Sequence, residues 1–168
     1  MYSKNNDTAG WCLAFALFLP VGATAEDLTG SVVAVADGDT LTLLDPQRRQ
    51  HKVRLAGVDA PEKAQDFGNR SRQSLSELAF GKVVTIEGSK TDRYGRLLGK
   101  VRVGRTDVNL EQIRRGMAWH YKAYAREQHV VDRVSYAYAE LQAQRQREGL
   151  WAAPQPTPPW DFRRARRR

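Results

Sequence analysis

The chain has 168 residues, of which 41% are hydrophobic and 27% charged, values that predict one soluble globular domain. The formal net charge of +8 favours polyanionic partners. Five of those charges belong to Arg163, Arg164 and Arg166–Arg168. The alternative interpretation of this arginine run is a solvated tail without a specific role. The only cysteine, Cys12, lies near the start of the chain, so the remainder excludes disulfides and cysteine-based zinc sites.

Residues 1–25 have the features of a secretory signal peptide. Lys4 precedes an apolar run at Trp11–Gly22, and the sequence Ala-Thr-Ala ends at Ala25, where cleavage is expected. The run is shorter than the roughly 20 apolar residues that a spanning helix needs. We therefore expect a secreted or periplasmic protein without a transmembrane span in the mature chain; an uncleaved anchor is the alternative.

The first half of the mature chain predicts three strands and a helix. Thr29–Ala36 and Leu41–Leu44 flank an Asp-Gly turn, which is a strong hairpin signal. Lys52–Val58 alternates between polar and apolar residues, as a third strand would. Phe67–Ala79 has helical spacing and ends before Gly81.

The second half predicts two strands followed by two helices. The strands are Lys82–Glu87 and Arg96–Val103, and a short helix covers Leu110–Met117. A longer helix, ending near Gly149, is indicated by apolar residues at helical spacing: Val131, Val134, Tyr138 and Leu141. Five strands with a helix between the third and fourth is the order of an OB-fold barrel. Residues 26–152 are thus predicted to be an α+β domain, mainly a five-stranded β barrel, with three helices.

Residues 153–168 are rich in proline and arginine. Four prolines between Pro154 and Pro159 favour an extended polyproline segment. We expect Trp160 and Phe162 to pin this tail to the domain ahead of the arginine run.

Acidic residues are concentrated in two predicted turns. Asp39 lies in the turn of the first hairpin, and Asp59 and Glu62 follow the third strand. Pro61 biases Ala60 away from helical conformations, so the second group flanks a bent, extended corner. If the turns meet in space, two or three carboxylates and a carbonyl provide the hard oxygen ligands that Ca²⁺ prefers.

Two arginines lie near these carboxylates in sequence or in the predicted fold. Arg54 precedes the acidic corner, and Arg96 follows the turn of the last predicted hairpin. Guanidiniums that face a metal suit phosphoryl chemistry, because both stabilise charge on phosphate oxygens. Taken singly, each signal has a structural alternative: a turn, a helix cap or a surface ion pair.

Three ordered segments, 35–40, 53–62 and 91–96, resemble the signature segments of the staphylococcal nuclease family. The resemblance runs from about Thr29 to Trp151. It implies an OB-fold, Ca²⁺-dependent and sugar-non-specific nuclease that acts on DNA and RNA by cleaving the 5′-O–P bond, which leaves 3′-phosphates. We also expect a monomer, and the sequence implies no stable protein partner.

The resemblance assigns catalytic and metal-binding roles to matching positions. Asp39, Asp59 and the carbonyl of Ala60 correspond to the calcium ligands, and Glu62 to the general base. Ala60 stands where the staphylococcal enzyme has threonine, which matters little for a backbone ligand. The arginines that bind the scissile phosphate and stabilise its transition state correspond to Arg54 and Arg96.

Further positions correspond to substrate contacts. Arg93, in place of a lysine, and Tyr94 match residues that contact a neighbouring phosphate. Tyr121 and Tyr124 are candidates for stacking on a base, although this segment could equally belong to the core.

Two other functions remain open. One is a catalytically weak OB module that binds nucleic acid, and the other is an envelope-tethered interaction protein that uses its basic tail. The presence of all five matching catalytic and metal-binding side chains favours the enzyme. A histidine-based zinc centre is disfavoured, because His51, His120 and His129 form no ligand-spaced pair.

Overall fold

The computed structural model describes residues 27–167. Its strands and helices follow the predicted order, with additional short strands and 3-10 helices between them. The strands are β1 Leu28–Val35, β2 Thr40–Leu44, β3 Gln50–Leu55, β4 Val58–Asp59, β5 Val83–Thr91, β6 Leu97–Val103, β7 Thr106–Asp107 and β8 Trp119–His120. The helices are α1 Gly68–Ala79, α2 Val108–Arg114, α3 Val130–Gln146 and α4 Pro159–Ala165, with short 3-10 helices at Lys122–Glu127 and Gly149–Ala152.

Five strands close into a mixed barrel. Neighbouring strands pair in the order β3-β2-β1-β5-β6, and β3 also pairs with β6 in parallel, which joins the two ends of the sheet. This closure leaves neither β3 nor β6 as an open edge. The predicted α+β barrel of the OB type is confirmed.

The barrel interior is filled by alternate residues of its strands. Leu41 and Leu43 of β2 are fully buried, as are Val53 and Leu55 of β3. Leu75 of α1 packs into the same core cluster. Because β2 and β3 pair in the register Thr40 to Arg54, the first hairpin turn lies beside the end of β3.

The predicted third strand is broken at Gly57. β3 ends at Leu55, and Val58–Asp59 forms the separate strand β4, which pairs with β8. Gly57 has a φ of +73°, a conformation that residues with a side chain rarely adopt. The turn at Gly57 redirects the chain and sets the direction from which Asp59 enters the site.

Helix α3 is confirmed, but its apolar stripe faces solvent. The exposures of Val131, Val134 and Tyr138 are 63%, 62% and 63%. The buried face instead contains Tyr136, Ala139, Glu140 and Ala143, and the helix packs against α2. Apolar spacing therefore identified the helix without identifying the face that packs.

The expectation of an extended C-terminal tail is wrong after Pro158. Pro158 has extended dihedral angles, φ −65° and ψ 146°, and Pro159 begins α4, where the fixed φ of proline suits the first helical position. The ring of Trp160 stacks on Tyr121 at a centroid distance of 5.6 Å, which confirms its anchoring role. Phe162 is half-buried and lies beneath the Arg166 guanidinium of its own segment.

No helix within residues 27–167 is long and apolar enough to cross a membrane. The predicted signal peptide, residues 1–25, lies outside the described residues and stays a prediction.

The packing of α3 can be tested by comparing its two faces. Ala143→Leu should lower the free energy of unfolding by about 1–3 kcal/mol, because Ala143 is only 1% exposed and the larger side chain would overpack its surroundings. Val134→Thr on the exposed stripe should change it by less than about 0.5 kcal/mol. Urea unfolding measures both variants; a larger loss for Val134→Thr would contradict this placement of the helix.

Candidate active site

Asp39 is positioned by a tightly packed turn. Its backbone N–H donates to Asp37 Oδ1 at 3.1 Å, and a β-carbon on Gly38 would lie 1.8 Å from Ser71 Oγ. Gln112, which is buried, donates from Nε2 to the Gly38 carbonyl at 2.7 Å. The turn is therefore pressed against α1 and has little freedom to shift.

Asp59 and Ala60 join this turn from the other acidic segment. The Ala60 N–H donates to Asp39 Oδ2 at 3.1 Å, so the two segments are linked directly. Asp59 is fully buried at the end of β4. The two predicted acidic turns do meet in space.

Arg54 lies between the two aspartates. Its Nη1 donates to Asp39 Oδ1 at 3.2 Å and its Nη2 to Asp59 Oδ1 at 3.0 Å. Burial alone would lower the pKa of Arg54, but the carboxylates of Asp39 and Asp59 raise it. Burial raises the pKa of Asp39, and the Arg54 charge opposes that rise. The charge of this one guanidinium thus offsets the repulsion between two buried carboxylates.

Arg96 approaches from the hairpin between β5 and β6. Asp92 accepts hydrogen bonds from Arg96 Nε at 2.8 Å and from its backbone N–H at 3.0 Å. Arg96 Nη1 donates to Thr40 Oγ1 at 3.4 Å, which places it next to the Asp39 turn. Burial alone would raise the pKa of Asp92, but the hydrogen bonds from Arg96 hold that pKa below its usual value.

A cleft of about 1450 Å³ runs past these residues. Asp59 does not line the cleft, but it contacts Arg54 and Arg163, which do. The other nine site residues predicted from the sequence do line it: Asp39, Arg54, Ala60, Glu62, Arg93, Tyr94, Arg96, Tyr121 and Tyr124. The wall therefore combines a cationic and acidic centre with aromatic side chains.

The two candidate tyrosines differ in their surroundings. Tyr121 is half-buried and stacks on Trp160 of α4. Tyr124 lies 5.4 Å from Tyr121, between ring centroids, and is 51% exposed. Neither ring belongs to the fully buried core, so the core-packing alternative does not describe them. Tyr94 is also open to solvent, beneath the guanidiniums of Arg93 and Arg96.

Comparison with known proteins identifies the family. A family model described as staphylococcal nuclease homologue matches residues 52–153. The chain belongs to the staphylococcal nuclease family. It is accordingly a nuclease, that is, a phosphodiester hydrolase.

Several relatives cover most of the chain. A micrococcal nuclease from Shigella flexneri is 41% identical over 161 residues, which cover 90% of this chain and 89% of that protein. An uncharacterized endonuclease from Haemophilus influenzae is 42% identical over 139 residues, or 83% of this chain and 75% of its own length. Protein ParB of Escherichia coli is 36% identical over 160 residues, 90% of this chain and 88% of its own.

One residue of the centre, Arg163, was not predicted from the sequence. It donates from Nη2 to Asp59 Oδ2 at 2.7 Å and from Nη1 to Glu62 Oε1 at 2.8 Å. Within a run of arginines, no pattern distinguished this one. The signal that could have found it is its spacing from Trp160, since residues i and i+3 share a helix face.

The bridging role of Arg54 can be tested by Arg54→Lys. Lysine retains the charge but lacks the planar fork that contacts two carboxylates, so we expect kcat to fall by about 10²–10³-fold, as for loss of a transition-state donor. Arg49→Lys is the matched control, because Arg49 is 67% exposed, pairs with Asp45 and lies outside the cleft. Plasmid degradation measures both; near-native activity of Arg54→Lys would contradict the bridging role.

Proposed function

We propose that this nuclease is Ca²⁺-dependent and hydrolyses both DNA and RNA, leaving 3′-phosphates. The observation that carries the proposal is the arrangement of Asp39 and Asp59 on one guanidinium, that of Arg54, with Arg96 and Glu62 on the same cleft wall. This arrangement combines oxygen ligands, phosphate-binding cations and an accessible carboxylate.

The residues present fit a calcium ion. Asp39 and Asp59 supply carboxylate oxygens, Ala60 supplies a backbone carbonyl, and Ca²⁺ prefers such hard oxygen ligands. A cationic group, the Arg163 guanidinium, already lies against Asp59, which indicates that the site favours positive charge. Within residues 27–167, no group of three or more histidine, cysteine, aspartate or glutamate side chains has the geometry of a metal site, so the carbonyl and water would complete the ligand set. When bound, the ion would neutralise charge that develops on the phosphate.

Glu62 is the proposed general base. Its side chain is 39% exposed and lines the cleft, so it can reach a water molecule. A carboxylate there can accept the proton of that water as the oxygen attacks phosphorus, in line with the departing 5′-oxygen.

Arg54 and Arg96 would hold the phosphate undergoing attack. Both guanidiniums are held by carboxylates, Arg54 by Asp39 and Asp59 and Arg96 by Asp92. Because these contacts fix their positions before substrate binds, little reorganisation is needed as charge accumulates on the phosphate oxygens.

The same cleft supports a broad substrate range. Arg93 and Tyr94 line the cleft and would contact a neighbouring phosphate, and the exposed ring of Tyr124 would stack on a base. Contacts to phosphates carry no sequence information, and stacking on an aromatic ring tolerates any base. Hydrolysis of both DNA and RNA, with weak sequence preference, follows from such contacts.

We further propose that the protein is exported to the periplasm or the medium and acts as a monomer. Support for export comes from the apolar run Trp11–Gly22 and the alanine pair that ends at Ala25.

The proposal is tested with the chain from Glu26 to Arg168 on a plasmid and on an RNA. Both should be degraded in the presence of Ca²⁺ and remain intact with a chelator. Glu62→Gln should lower kcat by about 10²–10⁴-fold, because it removes the proton acceptor.

Glu111→Gln serves as the matched control, since Glu111 pairs with Arg114 on the surface of α2. Binding of nucleic acid without cleavage would replace the proposal with a binding module. Cleavage that a chelator does not affect would contradict the proposed calcium dependence but not the nuclease activity.

A further inference from the structure

Arg163 occupies the oxygens that a metal ion would need. Asp59 Oδ2 accepts from Arg163 Nη2 at 2.7 Å, while Oδ1 accepts from Arg163 Nη1 at 3.2 Å and from Arg54 Nη2 at 3.0 Å. Glu62 Oε1 accepts from Arg163 Nη1 at 2.8 Å. Both oxygens of the buried Asp59 are therefore engaged by guanidinium groups.

Aromatic packing holds Arg163 in this position. Trp160, one helical turn earlier, stacks on Tyr121 with an interplanar angle of 29° and meets Trp119 edge-on at 5.6 Å. Pro159 is buried, and Gln65 Nε2 donates to the Thr157 carbonyl. We call residues 157–167 the C-terminal latch, because these contacts fasten the segment over the acidic centre.

The latch also covers one candidate base platform. Its Trp160 stacks on the ring of Tyr121, a candidate for stacking on a base, whereas Tyr94 and Tyr124 stay 69% and 51% exposed. The latch thus contacts a proposed metal ligand, the proposed base and a stacking ring at once. No other part of the described chain combines these contacts.

Charge balance at the centre favours exchange of Arg163 for a divalent ion. Asp39, Asp59 and Glu62 carry three negative charges, and Arg54 and Arg163 supply two positive ones. The two guanidiniums share Asp59 Oδ1, so their charges repel each other. A divalent ion that replaced Arg163 at the carboxylates would carry one more positive charge, and would offset the negative charge that the two guanidiniums leave unbalanced.

We infer that Arg163 competes with the metal ion for Asp59 and Glu62. The C-terminal latch thereby keeps the nuclease inactive until a metal ion displaces Arg163. This inference rests on the proposed calcium dependence. Its consequence is that the latch weakens metal binding and sets the calcium concentration at which the enzyme becomes active. Arg163 therefore acts as an internal, charge-matched substitute for the ion.

Calorimetric titration of Ca²⁺ in the absence of nucleic acid tests the competition directly. Arg163→Gln should bind Ca²⁺ at least about tenfold more tightly than the native chain, because Asp59 and Glu62 lose their competing cation. Arg163→Lys retains the positive charge but lacks the planar guanidinium, so its affinity for Ca²⁺ should lie between those of the native chain and Arg163→Gln. Arg164→Gln is the matched control on the same helix, as Arg164 is 70% exposed and pairs with Asp161, and should bind like the native chain.

Equal affinity of Arg163→Gln and the native chain would overturn the competition. Weaker binding by Arg163→Gln would also overturn it, since Arg163 would then be positioning the carboxylates for the ion. Circular dichroism melting of each variant confirms that the fold is retained.

Nuclease assays on the same proteins separate this inference from the proposed function. The calcium concentration for half-maximal cleavage should fall at least about tenfold in Arg163→Gln. Calcium-dependent cleavage, with equal calcium affinities of the native chain and Arg163→Gln, would overturn the role of the latch alone. Calcium binding without cleavage would overturn the proposed function alone. Absence of calcium binding in every variant would overturn both.

Discussion

The contact of one buried guanidinium with two buried carboxylates constrains this molecule more than any other. Asp39 and Asp59 would repel each other strongly in the low-dielectric interior, and the Arg54 charge between them makes the pair tolerable. The barrel supplies the three residues from three separate segments: the first hairpin turn, the end of β3 and the short β4. The closed register of the strands, with Thr40 opposite Arg54, is what brings those segments together.

Much of the barrel and its acidic centre was predictable from the sequence. The Asp-Gly hairpin and the alternating third strand gave the order of an OB fold, because strand periodicity and turn chemistry are local properties. The matching segments placed Asp39, Arg54, Asp59, Glu62 and Arg96 in one site, and the structure brings all five together. These residues lie at turns or strand ends, where position along the chain largely fixes position in the fold.

Contacts between distant elements were not predictable in the same way. The stripe of Val131, Val134 and Tyr138 marked a helix, but the face that packs against the domain carries Tyr136, Ala139 and Ala143, and which face packs depends on elements distant in sequence. Arg163 reaches Asp59 from 104 residues away, through a helix whose docking depends on Trp160. Side chains within an arginine run look alike until the fold selects one of them. The prolines favoured an extended tail, and nothing in the arginine run linked that tail to the site.

A crystal structure of the native chain grown with saturating Ca²⁺ and no nucleic acid tests the account most directly. The account predicts an ion bound by carboxylate oxygens of Asp39 and Asp59 and by the Ala60 carbonyl, with Arg163 no longer contacting Asp59. A crystal with no ion at these oxygens, or with the ion bound elsewhere, would contradict the assignment of this centre.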